Sequence, residues 1–340
     1  MKPLVSILVP AFNSEEWIAD TLESAVAQTW NPKEIIVVDD GSTDRTLAVA
    51  QRFERRGVRV VSQKNQGAAA ARNTALALSR GDYVQWLDAD DLLAPDKVEK
   101  QLERHVPGQK TLLSSAYGRF FYRPSRAKFL PTALWCDLAP AEWLLRKMDL
   151  NLFMQTSTWL VPRELSDGVG PWDTRLVVDD DGEYFCRVLL ASDGVRFVPD
   201  AKVYYRVSGH TSVSYVGQSQ RKLDAQWVSM QLHIQYLRSV DDSDRARDAC
   251  AHYLEHWLPY FYPDRQDVID QAGALAQSLG RRLRPPRVSW KYSVLAALLG
   301  SRLATPTQHA VRRVRSSIAR AWDRALAHAE RGRRADPSRL

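Results

Sequence analysis

Tyr83-Val84-Gln85-Trp86-Leu87-Asp88-Ala89-Asp90-Asp91 is an apolar run of β type that ends abruptly in three carboxylates. Val, Trp and Leu in an extended segment favour burial and acids do not, so the chain must leave the core for a sheet edge at Asp88. In open α/β sheets, the edge at the carboxyl ends of the strands is where ligands bind. Asp88 and Asp90 alternate along the extended chain, or a turn after Leu87 brings both towards one point. Oxygen ligands of this kind suit Mg2+ or Mn2+, which proteins hold with one or two carboxylates while substrate phosphates supply further ligands. A lone D-x-D is equally an acidic turn that caps the next helix, so its meaning depends on its surroundings.

What precedes it is a series of the same kind. Leu4 to Val9 reads as a buried strand stopped by Pro10, and Asn13 or Ser14 caps a helix with an apolar stripe at Ile18, Leu22, Ala25 and Val26. Glu34 to Val38 is a second buried strand, ending in Asp39-Asp40-Gly41-Ser42, and a helix opens at Thr43-Asp44. Val58 to Val61 is a third strand, followed by an Ala-rich helix from Gly67 to Leu78. Strand and helix alternating at this spacing predict an α/β fold, a Rossmann-like, mostly parallel sheet flanked by helices. Polar residues follow every strand: Asn13 and Glu15, Asp39 and Asp40, Asn65 and Gln66, Asp88 and Asp90. Four polar strand ends on one edge make a crevice. Neither G-x-G-x-x-G nor G-x-x-x-x-G-K-[ST] is present, so phosphate charge must be met by a metal and an arginine rather than by a glycine cradle.

Composition sets the outer bounds. With 340 residues, 45% hydrophobic and 26% charged, the chain suits a soluble globular protein with a large core and more than one domain. Leu4 to Val9 is too short for a signal-peptide core, and Val294 to Leu299 falls far below the roughly 20 residues of a membrane span. Cys136, Cys186 and Cys250 are far apart and lack C-x-x-C spacing, which fits small buried side chains in a reducing, cytoplasmic compartment. The net charge of +7 is uneven: Arg281 to Leu340 holds fifteen Lys or Arg against three acids, a local +12, which leaves −5 on the first 280 residues.

The series Pro10-Ala11-Phe12-Asn13, Asp39-Asp40-Gly41-Ser42-Thr43-Asp44, Asn65-Gln66-Gly67 with Ala71-Arg72-Asn73, and Asp88-Ala89-Asp90 resembles the amino-terminal half of the family 2 glycosyltransferases of the GT-A fold. The resemblance implies a nucleotide-sugar site. Asp40 would hydrogen-bond the base, with the backbone around Pro10, Ala11 and Phe12 forming the rest of its pocket. Arg72 would lie near the diphosphate or base, Asp88 near the ribose, and Asp90 on the divalent metal, Mn2+ or Mg2+, that bridges the diphosphate. Asn13, Glu15, Asn65, Gly67 and Ala89 complete the expected donor site, and Asp88 is a second candidate metal ligand.

Beyond Asp91 the pattern loosens. Leu92 to His105 reads as one helix, Thr111 to Tyr122 as an aromatic strand, and Trp143 to Met148 as a short helix. Trp135, Trp143 and Trp159 are candidate sugar-stacking rings, because a flat apolar face matches a pyranose C–H face, though core packing accounts for any one of them. Pro171-Trp172-Asp173 and then Asp179-Asp180-Asp181-Gly182-Glu183 resemble the family's G-x-F-D and E-D-x-D/E stretches, with Asp where the family usually has Glu. One carboxylate there would accept the proton of the attacking hydroxyl. Asp181 is the first choice and Asp180 the alternative, with Glu183, Trp159 and Trp172 assigned to the acceptor side. One base without a partner nucleophile implies a single displacement with inversion. Tyr204 to Ser214 resembles the family's Y-R…H/G-S-x-S ending, where His210 would complete the metal shell and the Gly/Ser-rich stretch from Ser208 to Ser219 would close over the donor.

These readings divide the chain into a catalytic domain (1–215), a helical extension (216–284) and a basic tail (285–340). In the tail Val311, Val314, Ile318, Trp322 and Leu326 share a helical stripe flanked by Arg312, Arg313, Arg315, Arg320 and Arg324. Such a helix fits an anionic membrane surface on the inner face of the cell membrane, and the charge lacks the interleaved aromatics of nucleic-acid binding. The expected activity is transfer of a sugar from a nucleotide donor, of UDP type by the imide-pairing capacity of Asp40, to a glycan or lipid-linked acceptor in polysaccharide synthesis. Two rivals are a sugar-nucleotide pyrophosphorylase, which needs a Gly-rich, Arg-bearing loop after the first strand, and a degenerate, glycan- or partner-binding member of the same fold.

Overall fold

The computed structural model describes residues 2–207, 219–262, 265–284, 317, 320–327 and 329–330. Strands and helices alternate at the start: β1 (Val5–Ala11), α1 (Ile18–Val26), β2 (Lys33–Asp39), α2 (Thr46–Gln51), β3 (Val58–Ser62), α3 (Ala68–Leu78) and β4 (Tyr83–Trp86). These four strands pair in parallel in the order β3-β2-β1-β4. The near-continuous Val, Ile and Leu of β1 and β2 are buried on both faces, as central parallel strands require, while edge strand β3 is partly exposed. β1 does not stop at Pro10 but runs to Ala11, past Leu8, the last residue it pairs with β4. A proline is tolerated at such a sheet margin.

The second half changes direction. β5 (Leu92–Leu93), α4 (Lys97–Leu102), β6 (Thr111–Phe120), β7 (Lys128–Phe129), α5 (Pro140–Asp149), β8 (Leu160–Pro162), α6 (Arg163–Val169), α7 (Asp180–Ala191) and β9 (Gly194–Arg206) complete the αβ part. The sheet order becomes β3-β2-β1-β4-β8-β6-β9-β5, with β7 on β6. β8 is antiparallel to β4 and β6, and β5 is antiparallel to β9. The mostly parallel arrangement therefore describes the first four strands, and the remainder is mixed.

Two elements differ from expectation. Leu92 to His105 is not one helix: Leu92 and Leu93 pair with Tyr204 and Val203 of β9, and Pro95 separates them from α4. β9 is long, yet Pro199 interrupts its sequence. The sheet absorbs this with a register shift, Ser115 facing Val198 and Ala116 facing Lys202.

Three further helices, α8 (Gln220–Val240), α9 (Asp244–Phe261) and α10 (Gln266–Ser278), form the carboxy-terminal layer. Leu223, Trp227, Met230 and Ile234 of α8 are buried in the same core cluster as the sheet. Residues 320–327 are helical and lean on the end of β6, where Asp323 accepts from Arg123 Nε at 2.7 Å and from the Tyr122 N–H at 2.9 Å. The tail arginines 312, 313 and 315, the apolar residues Val311, Val314 and Ile318, His210 and residues 208–218 lie outside the described residues. No helix among the described residues is long and apolar enough to cross a membrane.

Candidate active site

The carboxyl ends of β1, β2 and β4 meet on one edge, with Ala11 opposite Asp39 and Leu8 opposite Trp86. Arg72, one turn into α3 and buried, is the hinge of the site. Its Nη2 donates to Asp88 Oδ1 at 2.9 Å and its Nη1 to Asp180 Oδ2 at 2.6 Å. The guanidinium lies 4.4 Å over the Trp172 ring, and the next residue, Asn73, locks the Trp172 backbone with two hydrogen bonds of 2.8 and 3.0 Å. Asp181, beside Asp180 and half-buried, accepts from Thr156 Oγ1 at 3.0 Å. Acids separated by about ninety positions in the chain thus converge on one arginine.

The turn at Asp88-Ala89-Asp90-Asp91 is fixed from behind. Arg206, at the end of β9 and 2% exposed, donates its backbone N–H to Asp91 Oδ1 at 2.8 Å and its Nε to the Asp90 carbonyl at 2.8 Å. Its guanidinium is held 4.3 Å from the Trp17 ring and 4.6 Å from the Phe120 ring. Gln155 donates to Asp88 at 3.3 Å and also to Asp91. Arg206, within the Tyr204 to Ser214 stretch, thus shapes the acidic turn.

Burial of so many acids has an electrostatic consequence. Desolvation, with Asp181 and Asp88 nearby, pushes the Asp180 carboxyl up to about 6 against the pull of Arg72. Burial and then Asp179 raise Asp181, opposed by Arg72 and the Thr156 hydrogen bond. Burial, Asp90 and Asp88 raise Asp91 well above the usual range. Negative charge here exceeds what Arg72 and Arg206 neutralise, a setting that suits a bound divalent cation. Among the described residues no three His, Cys, Asp or Glu side chains form a metal cage. Asp88 and Asp90 are the two half-buried carboxylates of this turn.

The residues expected around the base lie at and just beyond the ends of β1 and β2. Pro10 is half-buried and Phe12 is 48% exposed, at the open end of β1. Asn13, at φ 46°, accepts the Thr43 N–H at 2.8 Å, and Glu15 accepts the Arg45 N–H at 3.0 Å, so both tie the β1 end to the loop after β2. Asp40 is 2% exposed and already accepts from Gln63 Nε2, the Gln66 N–H and the Gly67 N–H at 2.7–2.9 Å. It anchors the start of α3, with one of a carboxylate's roughly four acceptor positions left over. Asn65 and Gly67 are exposed, and the buried Ala89 gives its carbonyl to Thr21 at 2.9 Å.

Residues 6–154 match the sequence model of glycosyl transferase family 2. The chain carries a family 2 glycosyltransferase domain. It is 40% identical over 151 residues to the Escherichia coli chondroitin synthase, a stretch covering 39% of this chain and 22% of that protein. Six such relatives, matched at 35–46% identity, are each spanned over no more than 55% of their length. Among solved structures, S. aureus TarS 1-349 in complex with UDP-GlcNAc aligns with a TM-score of 0.65 at 19% identity, over 82% of this chain and 81% of that one. A mannosyltransferase of Pyrobaculum calidifontis in complex with GDP-Man and Mn2+ aligns at 0.56 and 20%, over 95% and 88%. These likenesses establish the GT-A fold.

The residues expected on the acceptor side differ from the sequence reading. Trp143, Trp159 and Trp172 are at most 2% exposed and packed in aromatic clusters, so none offers a ring face to a sugar. Glu183 is 2% exposed, accepts two bonds from Arg187 at 2.7 and 2.9 Å and one from Tyr236 at 2.7 Å, and faces inward. Of the tryptophans considered, Trp135 alone is half-buried, and it stacks on Phe197. Sequence reasoning missed Gln155 and Thr156, which sit in the polar run Gln155-Thr156-Ser157-Thr158 immediately before a buried strand. That anomaly was the available signal.

Proposed function

We propose that the protein transfers a sugar from a nucleoside-diphosphate donor to a hydroxyl of a glycan or lipid-linked acceptor in polysaccharide synthesis, with inversion at the anomeric carbon. The observation that carries this reading is the convergence of Asp88 and Asp180 on Arg72, with Asp181 alongside on Thr156. That arrangement sets the Asp88 edge beside Asp181, a carboxylate hydrogen-bonded to a hydroxyl rather than to Arg72. Asp180 is tied to Arg72 at 2.6 Å, whereas Asp181 accepts from the Thr156 hydroxyl and is partly exposed, which favours Asp181 as the base.

In the proposed reaction Asp181 takes the proton of the acceptor hydroxyl as its oxygen attacks the anomeric carbon. The bond to the diphosphate breaks in the same displacement, and no second carboxylate is needed as a nucleophile. Arg72 keeps Asp180 and Asp88 apart and compensates their charge. A divalent ion at Asp90 would neutralise charge on the departing diphosphate. Asp40 and the backbone around Pro10 to Phe12 would receive the base. The TarS and mannosyltransferase complexes carry different nucleotides on this fold, so the UDP preference rests on Asp40 alone.

The test is calorimetric titration with UDP-GlcNAc, GDP-mannose and the free nucleoside diphosphates, with and without Mn2+. Binding of one nucleotide class in the presence of metal is the expected result. A folded protein that binds none of them belongs with degenerate, binding-only members of the fold.

A further inference from the structure

The acids at the start of α7 are placed by a residue that neither touches Arg72 nor faces the crevice. Asp179 adopts a left-handed backbone (φ 54°, ψ 24°), which L residues seldom take and Asp tolerates better than most. This one residue sets the direction in which α7 starts, and hence where Asp180 and Asp181 point. Its carbonyl accepts the Glu183 N–H at 3.1 Å, closing the first turn.

The side chain is gripped by α8. Ser229 Oγ donates to Asp179 Oδ2 at 2.6 Å and Gln226 Nε2 to the same oxygen at 3.4 Å. Beneath them the fully buried His233 has Nδ1 3.8 Å from that oxygen and 3.0 Å from the Tyr253 hydroxyl of α9. Contacts on either side extend the grip: Leu176 and Val178 pack on Ala225, and Tyr236 donates to Glu183. The carboxylate also lies over Gly182, where a Cβ would meet Asp179 Oδ1 at 2.1 Å. Glycine at 182 is what lets the tether form.

We infer that Asp179 is a positioning residue through which helix α8 holds Asp180 and Asp181 in register with Arg72 and Thr156. The carboxy-terminal helices then belong to the catalytic apparatus. The catalytic consequence rests on Asp181 being the base, whereas the tether does not. Besides position, Asp179 places a negative charge beside Asp181; the other charged groups facing that acid are Asp180 and Arg72, with Asp88 across Arg72. On the far side of Asp179, burial and Lys147 keep His233 neutral.

Two variants of the full chain separate these effects. Ser229→Ala removes the short hydrogen bond and leaves every charge, while Asp179→Asn keeps an acceptor for Ser229 and removes the charge. Hydrogen–deuterium exchange over residues 177–187 is read first, since it needs no substrate. Ser229→Ala is expected to speed exchange there about fivefold or more while leaving residues 5–62 unchanged. Nucleotide release from UDP-GlcNAc and GDP-mannose is then followed. Where wild type turns over, Ser229→Ala should lower kcat about 10- to 100-fold with KM for the donor within about twofold. Asp179→Asn should move the acidic limb of kcat to lower pH, because the charge that raises Asp181 is gone. Unchanged exchange at the start of α7 in Ser229→Ala overturns the inference. An active Asp181→Asn overturns the base assignment, an inactive wild type overturns the proposed transfer from these donors, and in either case the exchange result still decides the tether.

Discussion

Two acidic turns face each other across Arg72, and they are built in opposite ways. Asp88 to Asp91 extends a buried parallel strand, and its shape is set by the sheet and by Arg206 clamped between Trp17 and Phe120. Asp179 to Asp181 begins a helix, and its shape is set by one left-handed residue and a helix some fifty positions further on. The first turn is rigid by virtue of its own neighbours, and the second is only as rigid as its tether. Donor binding and proton acceptance should therefore fail separately.

The sharpest way to separate them is a pair of substitutions. Asp181→Asn is expected to lower kcat about 10²- to 10⁴-fold, the usual worth of a general base, with donor affinity kept within about twofold. Asp90→Asn should abolish the Mn2+-dependent part of donor binding. Transfer kinetics and calorimetry on both variants check the division. An Asp181→Asn protein that transfers normally would move the base to Asp180, and near-normal turnover of Asp90→Asn would remove the metal from that carboxylate.

A milder disturbance tests the second turn from within. In Gly182→Ala the new methyl group meets the Asp179 carboxylate at 2.1 Å, so the tether or the helix start must shift. A misplacement of about 1 Å can cost about 100-fold in rate, and kcat should fall by about 10- to 100-fold while the donor still binds. Normal kcat in this variant would show that α7 starts correctly without the tether.

The asymmetry also explains what could be read from sequence. The first four strands, their polar ends and the four motifs were legible because each lies within one local segment, where apolar runs and acids announce strand and edge. Arg72 could be placed near phosphate by resemblance, but not its grip on both Asp88 and Asp180, because a contact spanning 108 positions leaves no local pattern. β5 and β9 were missed for related reasons. Two leucines before Pro95 look like a helix start until β9 pairs with them, and Pro199 disguises β9. Trp143 and Trp159 stood as candidate sugar rings with core packing as the alternative, and Trp172 as an acceptor-side residue, because an aromatic ring reads alike in a core and in a groove, and only burial separates the two.

A smaller effect concerns pH. The Asp180 carboxyl is pushed up to about 6 in the folded chain, above its ordinary value near 4, by burial and by Asp181 and Asp88. Between those values the folded state holds more proton than the unfolded one, so stability is greatest below about pH 4 for this group and is lost as pH rises through about 6. Asp180→Asn should flatten that decline, measured as the denaturation midpoint from pH 4 to 7. An unchanged slope would place the proton on a neighbouring acid.

The least effect on chemistry is expected from the tail, and it tests whether a third region belongs to this comparison at all. Residues 320–327 lean on the sheet end through Asp323 and Arg123, each 14% exposed, while Trp322 on the same stretch is 69% exposed. The local charge of +12 from Arg281 onwards, at about 1 kcal/mol for each Lys or Arg close to an anionic surface, is enough for peripheral attachment. Deleting residues 303–340 should release the protein from vesicles containing phosphatidylglycerol and change donor affinity in solution by less than about twofold. Unchanged partitioning in co-sedimentation would leave the basic stretch to solvent. A fall in donor affinity would place the helix in the crevice wall, along a path already visible: Arg324 lies 5.7 Å over Tyr122, Tyr122 packs 5.3 Å from Trp17, and Trp17 covers the Arg206 that shapes the Asp88–Asp91 turn.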